Sequence, residues 1–488
     1  MSEFLDPSAW SGRIYVDGSW VVGGGGTAAI VAPATGERIG EAGIASAEDV
    51  ARAARSAAAA QREWAARPHT ARAAVLRRAA ELWAVHAEEI VGWNIREVGA
   101  VPAIAGFAVH VAGEECAGAA ALPALPRGQV LASEEQRLSI AERAPVGVVG
   151  VISPFNVPII LGIRAVAPAL ALGNAVLLKP DPRTVVTGGV TMARIFEEAG
   201  LPAGLLQLLP GGAEVGEAIV ADPRVPVVAF TGSTSAGRIV GELAGRHLTR
   251  AHLELGGNSA FIVREDADVD QAVNLAVWGT FLHQGQICMT VGRHLVHSSL
   301  YEEYVAKLAA RADALVVGDP AAGPVDLGPV IDAGQAARIA RIVDATVAAG
   351  AALRAGGTAD GLFYRPTVLA DVPLDAPAFC EEVFGPVATV VPFDDDEDAV
   401  RLATRTEYGL SLGIVTRDVL GGYELAARIP TGIVHINDQT VNDEANAPFG
   451  GVGASGTGAR HGGAEANVEA FTDVRWVTMR RVPPTYPL

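Results

Sequence analysis

Short, wholly apolar runs rich in β-branched residues recur along this chain, and stretches of helical character separate them: Val146–Ile152, Ala175–Leu178, Leu205–Leu209, Val227–Phe230 and Leu253–Leu255. A strand that is apolar on both faces must be covered on both, and strands that alternate with helices pair in parallel. The pattern starts again after Gly256-Gly257, with Ala260–Val263, Arg293–His297, Thr367–Leu369, Val387–Pro392, Leu412–Thr416 and Gly432–Asn437. The expected fold is therefore α/β, in two units that meet near Gly256-Gly257. Upstream, Ser46-Ala47-Glu48-Asp49 opens a helix that runs to Ala66, and residues 70–98 are expected to form one further amphipathic helix. The acidic run Asp394–Asp398 reads as a solvated helix start.

Composition narrows the function classes. Of 488 residues, 50% are hydrophobic and 19% charged, which excludes wholesale disorder. Lys and Arg number 37 against 55 Asp and Glu, a net charge of −18 that disfavours nucleic acid or an anionic membrane as main partner. Three widely spaced cysteines, Cys116, Cys288 and Cys380, form no CxxC or Cys/His cluster, so neither a metal site nor a disulfide framework is expected, and free thiols fit a reducing cytoplasm. The acidic N-terminus MSEFLDPSAW lacks the pattern of a signal peptide. Between Ala144 and Leu178 the only charge is Arg164, but four prolines break the stretch, which reads as strand, loop, helix and strand rather than a membrane span.

Gly451-Val452-Gly453-Ala454-Ser455-Gly456 matches GxGxxG as a string. A dinucleotide fingerprint must follow a strand and open a helix within a βαβ unit. This one follows Pro448-Phe449 near the C-terminus and reads as a flexible glycine-rich loop.

The chemistry-bearing residues lie elsewhere. Cys288 stands in Gln284-Gly285-Gln286-Ile287-Cys288-Met289, where polar residues and a glycine interrupt an apolar helix. A turn there would expose the thiol, aim backbone N–H groups at its ligand and lower its pKa. Taken alone, a single cysteine is more often an inert small hydrophobe. Glu254 closes an apolar strand in Leu253-Glu254-Leu255-Gly256-Gly257, which leaves a structural ion pair and a general base both open. Asn156, in Ser153-Pro154-Phe155-Asn156-Val157-Pro158, follows a buried strand, where α/β proteins bind ligands; it could donate to an oxyanion or close an Asx turn. Lys179 ends the next strand and could grip ribose or phosphate, or be a strand-end charge. Phe230–Gly237 runs from a strand into a helix, and its amides suit an anion.

Together, in this order, these stretches resemble the aldehyde dehydrogenase superfamily from end to end: Pro154-Phe155-Asn156, Leu178-Lys179-Pro180, Phe230-Thr231-Gly232-Ser233, Leu253–Gly257, Gly285–Cys288, Glu381–Pro386 and Pro448–Gly451. The resemblance implies Cys288 as nucleophile, Glu254 as general base and Asn156 as oxyanion donor. It implies a cofactor site made from Ile152, Ser153, Pro154, Phe155, Lys179, Pro180, Gly212, Thr231, Gly232, Ser233, Leu255, Gly256, Glu382 and Phe384. It also implies a substrate tunnel lined by Val157, Leu161, Ile287, Met289 and Phe449. The cofactor would be NAD, with NADP possible, because Pro182 and Arg183 stand where many NAD-preferring members carry a glutamate three residues after the lysine.

Finer features, including Lys179–Thr184 and His435–Glu444, resemble the benzaldehyde and vanillin dehydrogenase branch, which implies an aromatic aldehyde as substrate. The alternatives are a semialdehyde dehydrogenase, such as one for succinic semialdehyde, since Arg164 matches a position where carboxylate-binding arginines occur, or an aliphatic aldehyde dehydrogenase; Arg293 is expected in a strand rather than completing a clamp. The implied architecture is a Rossmann-like NAD(P)-binding domain over 1–122 and 144–256, a catalytic domain over 257–465, and an oligomerisation element over 123–143 and 466–488. That element would pair a hairpin with the C-terminal strand and build a homodimer or homotetramer.

Overall fold

The computed structural model describes residues 4–487. Met1–Glu3, the start of the segment read for a signal peptide, and Leu488, the last residue of the C-terminal segment, lie outside the described residues. Three principal sheets organise the chain. The first has seven strands in the order Arg250–Glu254, Val227–Thr231, Val148–Ile152, Ala175–Lys179, Leu206–Leu208, Arg13–Val16 and Ser19–Val22. Its first five strands pair in parallel, as their apolar composition predicts. The N-terminal hairpin adds the antiparallel edge. The first-unit pattern omits this hairpin, although Asp17-Gly18 carries its signal: both residues have positive φ, 53° and 74°, as a two-residue hairpin turn requires.

The chain crosses from Arg250–Glu254 to Ser259–Val263 through Gly256-Gly257 and enters the second sheet. Its order is Ala352–Ala355, Thr367–Ala370, Val387–Phe393, Val291–His297, Ser259–Val263, Ser411–Val415 and Ile433–Ile436, parallel except for the first pair. A third sheet joins Thr472–Met479, Leu138–Pro145 and Gly128–Val130, the hairpin and C-terminal strand expected from the sequence.

The helix Ala47–Ala66 begins with a full capping box between Ser46 and Asp49. Residues 70–98 do not form one helix. They split into His69–Val85 and Ala87–Val98 at His86 (φ −100°, ψ 13°), whose ring stacks on Phe4 and bonds Glu198. Tertiary contacts at one residue thus end a helix that amphipathic periodicity would continue. The stretch from Ala144 to Leu178 forms Val148–Ile152, the helix Pro158–Ala171 and the start of Ala175–Lys179, and among the described residues no helix is long and apolar enough to cross a membrane. The acidic run caps and opens the helix Asp396–Ala403.

Candidate active site

Parallel pairing brings the chemistry-bearing residues to one edge. Ile152 is in register with Lys179 and with Phe230, and Thr231 with Glu254, so the segments after these strands all emerge at the carboxyl end of the first sheet. There they meet Cys288 and the Glu382–Phe384 segment of the second unit across a cleft of about 520 Å³. Ile152, Ser153, Pro154, Phe155, Asn156, Leu161, Lys179, Thr231, Gly232, Ser233, Leu255, Gly256, Cys288, Glu382 and Phe384 all line it.

The cleft suits a dinucleotide. Ser153 Oγ is buried with no hydrogen-bond partner. The Lys179 ammonium is buried, contacts only its neighbour's carbonyl, that of Pro180 at 3.3 Å, and has its pKa lowered by burial. Ser233 caps the helix Thr234–His247, whose first turn opens toward the cleft and supplies unpaired amides for an anion. Gly256 permits Glu382 to close in: a Cβ there would lie 2.3 Å from Glu382 Oε2. The Glu382 carboxylate accepts from the Gly257 amide at 3.0 Å, and burial pushes its pKa up to about 7. Ammonium, carboxylate, unpartnered hydroxyl and helix start in one groove match ribose hydroxyls and a pyrophosphate.

The thiol sits on the expected turn. The helix Val269–Phe281 gives way to His283, Gln284 and Gly285, all with positive φ (52°, 59° and 66°). Gly285 is required there, since a Cβ would meet the Gly385 carbonyl oxygen at 2.1 Å. The two glutamines anchor the turn. Gln284 Nε2 donates to the carbonyls of Gly99 and Pro329, and Gln286 Oε1 accepts from the Ile331 amide. Asn156 Nδ2 donates to the Gln286 carbonyl at 2.8 Å, leaving its second N–H uncommitted, while its own backbone carbonyl accepts from His283 Nε2 at 2.8 Å. Asparagine, turn and thiol are thus held as one unit. The expected lowering of the thiol pKa is reversed: burial first, then the charges of Glu382, Glu254 and Asp443, push the Cys288 thiol well up, against a pull downward from its own amide. A turn exposes backbone N–H groups, but here burial of the sulfur, joined by three carboxylates, outweighs them.

Glu254 is 3% exposed, and neither of its oxygens has a hydrogen-bond partner. Burial drives its pKa well above the usual carboxylate range, only partly offset by Arg460, by the nearby Gly451 amide, which lies outside hydrogen-bond geometry, and by Arg164. It lines a separate void of about 10 Å³, room for about one water, together with Leu161, Arg164, Phe449 and His461. Of the two readings, the structural ion pair has no partner within hydrogen-bond reach.

Residues 20–477 match the Aldehyde dehydrogenase family. The chain belongs to the aldehyde dehydrogenase family. It is 61% identical over 484 residues to a vanillin dehydrogenase of Amycolatopsis sp., covering 99% of each chain. It is 48% identical over 488 residues to the benzaldehyde dehydrogenase [NAD(+)] of Pseudomonas putida, covering 100% of each. The solved salicylaldehyde dehydrogenase from Pseudomonas putida G7, complexed with salicylaldehyde, superposes with a TM-score of 0.94 at 33% identity, covering 98% of this chain and 99% of that one.

Not every residue implied by the aldehyde dehydrogenase resemblance reaches the cleft. Pro180 and Gly212 lie outside its lining, Gly212 capping the helix Ala213–Ala221. Val157 packs against the first sheet's core, whereas Ile287, Met289 and Phe449 cluster with Cys288 away from the cleft. Arg164, expected to face substrate, is instead 3% exposed and paired with Glu115 at 2.9 Å and Asp443 at 2.6 Å. Its charge is taken up by two carboxylates that lie far from it in sequence. Arg293 is in the strand Val291–His297 and donates to three backbone carbonyls, consistent with its strand reading. The glycine-rich Gly451–Gly456 segment is pinned rather than flexible. Ser455 accepts from the Leu255 amide, and Gly456 bridges to Glu254.

Several lining residues carried no sequence signal in this aldehyde dehydrogenase. Gln335 and Arg338, on the helix Ala333–Ala348, donate to the carbonyls of Glu382, Val383 and Phe384, and so hold Phe384 at its positive φ of 55°. Asp181 lines the cleft and binds Arg183, which also pairs with Asp332 and stacks over Phe155 at 4.1 Å.

Proposed function

We propose that this protein oxidises an aromatic aldehyde to its carboxylic acid with NAD through a thioester on Cys288. The observation that carries the reading is the pairing of one thiol, on the wall of a cleft that suits a dinucleotide, with a buried glutamate that has no hydrogen-bond partner.

The residues divide the work. The Cys288 thiol gives up its proton to water in the cleft, and its sulfur bonds to the carbonyl carbon as the C=O π pair moves onto the oxygen. Asn156, through its free N–H, and the Cys288 amide donate to the oxyanion that forms. Lys179 and Glu382 would hold the cofactor's riboses, and Gly232-Ser233 and the helix start behind them the pyrophosphate. Bound there, NAD would supply the acceptor for the hydride that the thiohemiacetal carbon loses. Glu254 then takes a proton from water as its oxygen attacks the thioester; the C–S bond breaks and the carboxylic acid departs.

The aromatic assignment is supported by the names of the relatives and by the apolar cluster of Ile287, Met289 and Phe449 around the thiol. A semialdehyde would need a free cation, and Arg164 already carries two carboxylates. The same logic supports NAD over NADP. Arg183 is committed to Asp181 and Asp332, so the loop presents no free arginine to a 2′-phosphate. The domain division follows the sheets: cofactor unit, thiol-bearing unit, and the small third sheet. On that sheet Val474 and Trp476 are 60% and 64% exposed on an edge strand, which supports a homodimer or homotetramer built there, and three free cysteines fit a reducing cytoplasm.

NAD reduction assayed with benzaldehyde, vanillin, succinic semialdehyde and an aliphatic aldehyde tests the reading. The aromatic substrates should exceed succinic semialdehyde by at least about tenfold in kcat/KM, about 1.4 kcal/mol of differential binding. The reverse order would replace it with the semialdehyde reading.

A further inference from the structure

A second cavity, about 630 Å³, lies apart from the cofactor cleft, between the helix Pro102–Ala119 and the segment Asp443–Asn446. Four carboxylates line it: Glu114, Glu115, Asp443 and Glu444. His110 is the only other titratable side chain on its wall, and no lysine or arginine lines it among the described residues.

A chain of side-chain contacts links the cavity wall to the thiol. Glu115 and Asp443 face it and at the same time hold Arg164 between them. The Arg164 guanidinium lies 5.2 Å from the Phe449 ring, and Phe449 packs in the same cluster as Cys288. Asp443 is also one of the charges that act on the Cys288 thiol. Arg164 Nη1 is buried with no hydrogen-bond partner, a donor that the two carboxylates leave unused but electrostatically cancelled. Four carboxylates against one buried guanidinium make the surroundings strongly negative, and low-dielectric walls focus that field.

We infer that Glu115, Asp443, Glu114 and Glu444, lining the cavity on the substrate side of Cys288, sort aldehydes by charge: neutral aromatic aldehydes pass, anionic ones are turned away. The inference rests on the proposed function, because a dinucleotide in the first cleft would block the other approach to the thiol. Asp443 and Glu115 thereby convert an arginine that could hold an anion into part of a barrier against it.

Two probes of similar size separate charge from shape: 4-carboxybenzaldehyde, an anion at pH 7.5, and the neutral 4-nitrobenzaldehyde. The wild-type enzyme should prefer the neutral probe by about tenfold or more in kcat/KM at low ionic strength, and by less at about 0.15 M salt, where the Debye length falls to about 8 Å. Asp443→Asn, which leaves the Glu115–Arg164 pair in place, should narrow that preference by about tenfold. The exposed changes Glu114→Gln and Glu444→Gln, which spare the buried network, should each narrow it about twofold to threefold, with kcat for the neutral probe unchanged. An unchanged preference in all three variants, or an equal loss on both probes, overturns the inference. If the wild-type enzyme oxidises neither probe nor benzaldehyde, the functional reading itself has failed, so the two failures are distinguishable.

Discussion

Glu382 and Glu254 are both buried, and both act electrostatically on Cys288, yet the fold treats them differently. Glu382 lines an open cleft and accepts from the Gly257 amide; Glu254 is enclosed and has no partner. A backbone donor fixes one carboxylate in place, ready to receive a ligand's hydroxyls. The other can take a proton without breaking an existing bond, as a base must. The difference lies in their neighbours. Glu382 sits on a loop held by Gln335 and Arg338, and Glu254 at a strand end closed over by the Gly451–Gly456 segment.

The comparison can be broken most severely at the residue the two glutamates share. Cys288→Ala should remove aldehyde oxidation by at least about 10⁴-fold while NAD still binds by fluorescence titration, whereas Cys116→Ala and Cys380→Ala should retain activity. Cys116 is buried in the first unit's core and Cys380 is exposed, and neither lines the cleft, so neither is placed to react with a carbonyl there.

Asn156→Ala and Glu254→Gln should then separate the two halves of the reaction. The first should slow the appearance of reduced cofactor within a single turnover by about 10²–10³-fold. The second should leave a rapid burst followed by slow turnover. Because burial holds the Glu254 carboxyl above the usual range, its ionised fraction grows with pH, so wild-type steady-state turnover should rise from pH 6 to pH 9, a slope that Glu254→Gln loses. A Glu254→Gln enzyme without a burst would move that residue into the first half-reaction.

Glu382→Gln should act on the cofactor instead, raising the KM for NAD by about tenfold with little change in kcat. Its effect on stability has a definite sign. The folded carboxyl titrates at about 7, above its ordinary 4.5, so the folded state binds that proton more tightly than the unfolded chain. The group's contribution is full below about pH 4.5 and is lost as pH rises through about 7. Without cofactor, Glu382→Gln should therefore raise Tm by about 1–3 °C at pH 8 and leave it nearly unchanged at pH 4.5. Equal shifts at both values would mean that the carboxylate is not under strain.

The smallest effect concerns the adenosine end. Asp181→Asn should free Arg183 in part and raise kcat/KM with NADP by about fivefold relative to NAD. Pro182→Glu should depress NADP use more than NAD use. Unchanged NADP kinetics in both would place this loop away from the ribose.

Where the sequence was legible, local chemistry wrote the structure. Continuous apolar runs specified the parallel strands, their carboxyl ends located Asn156, Lys179 and Ser233, and Gly285 between two glutamines specified the turn that carries Cys288. What escaped it depends on residues that meet only in the fold. The thiol's raised pKa comes first from burial and then from Glu382, Glu254 and Asp443, which approach it from three separate segments. Arg164 looked free until Glu115 and Asp443 closed on it from opposite sides in sequence. The break at His86 needs Phe4 and Glu198, and the pinned glycine loop needs the edge of the strand ending at Glu254.

The central claim, a thioester on Cys288 that only Glu254 can resolve, is tested most directly by trapping it. Glu254→Gln mixed with NAD and benzaldehyde, quenched within one turnover and analysed by intact-protein and peptide mass spectrometry, should carry a benzoyl group on the peptide containing Cys288 in near-stoichiometric amount with the reduced cofactor formed. Reduced cofactor formed with no acyl group on Cys288, or an acyl group on another residue, would contradict the account.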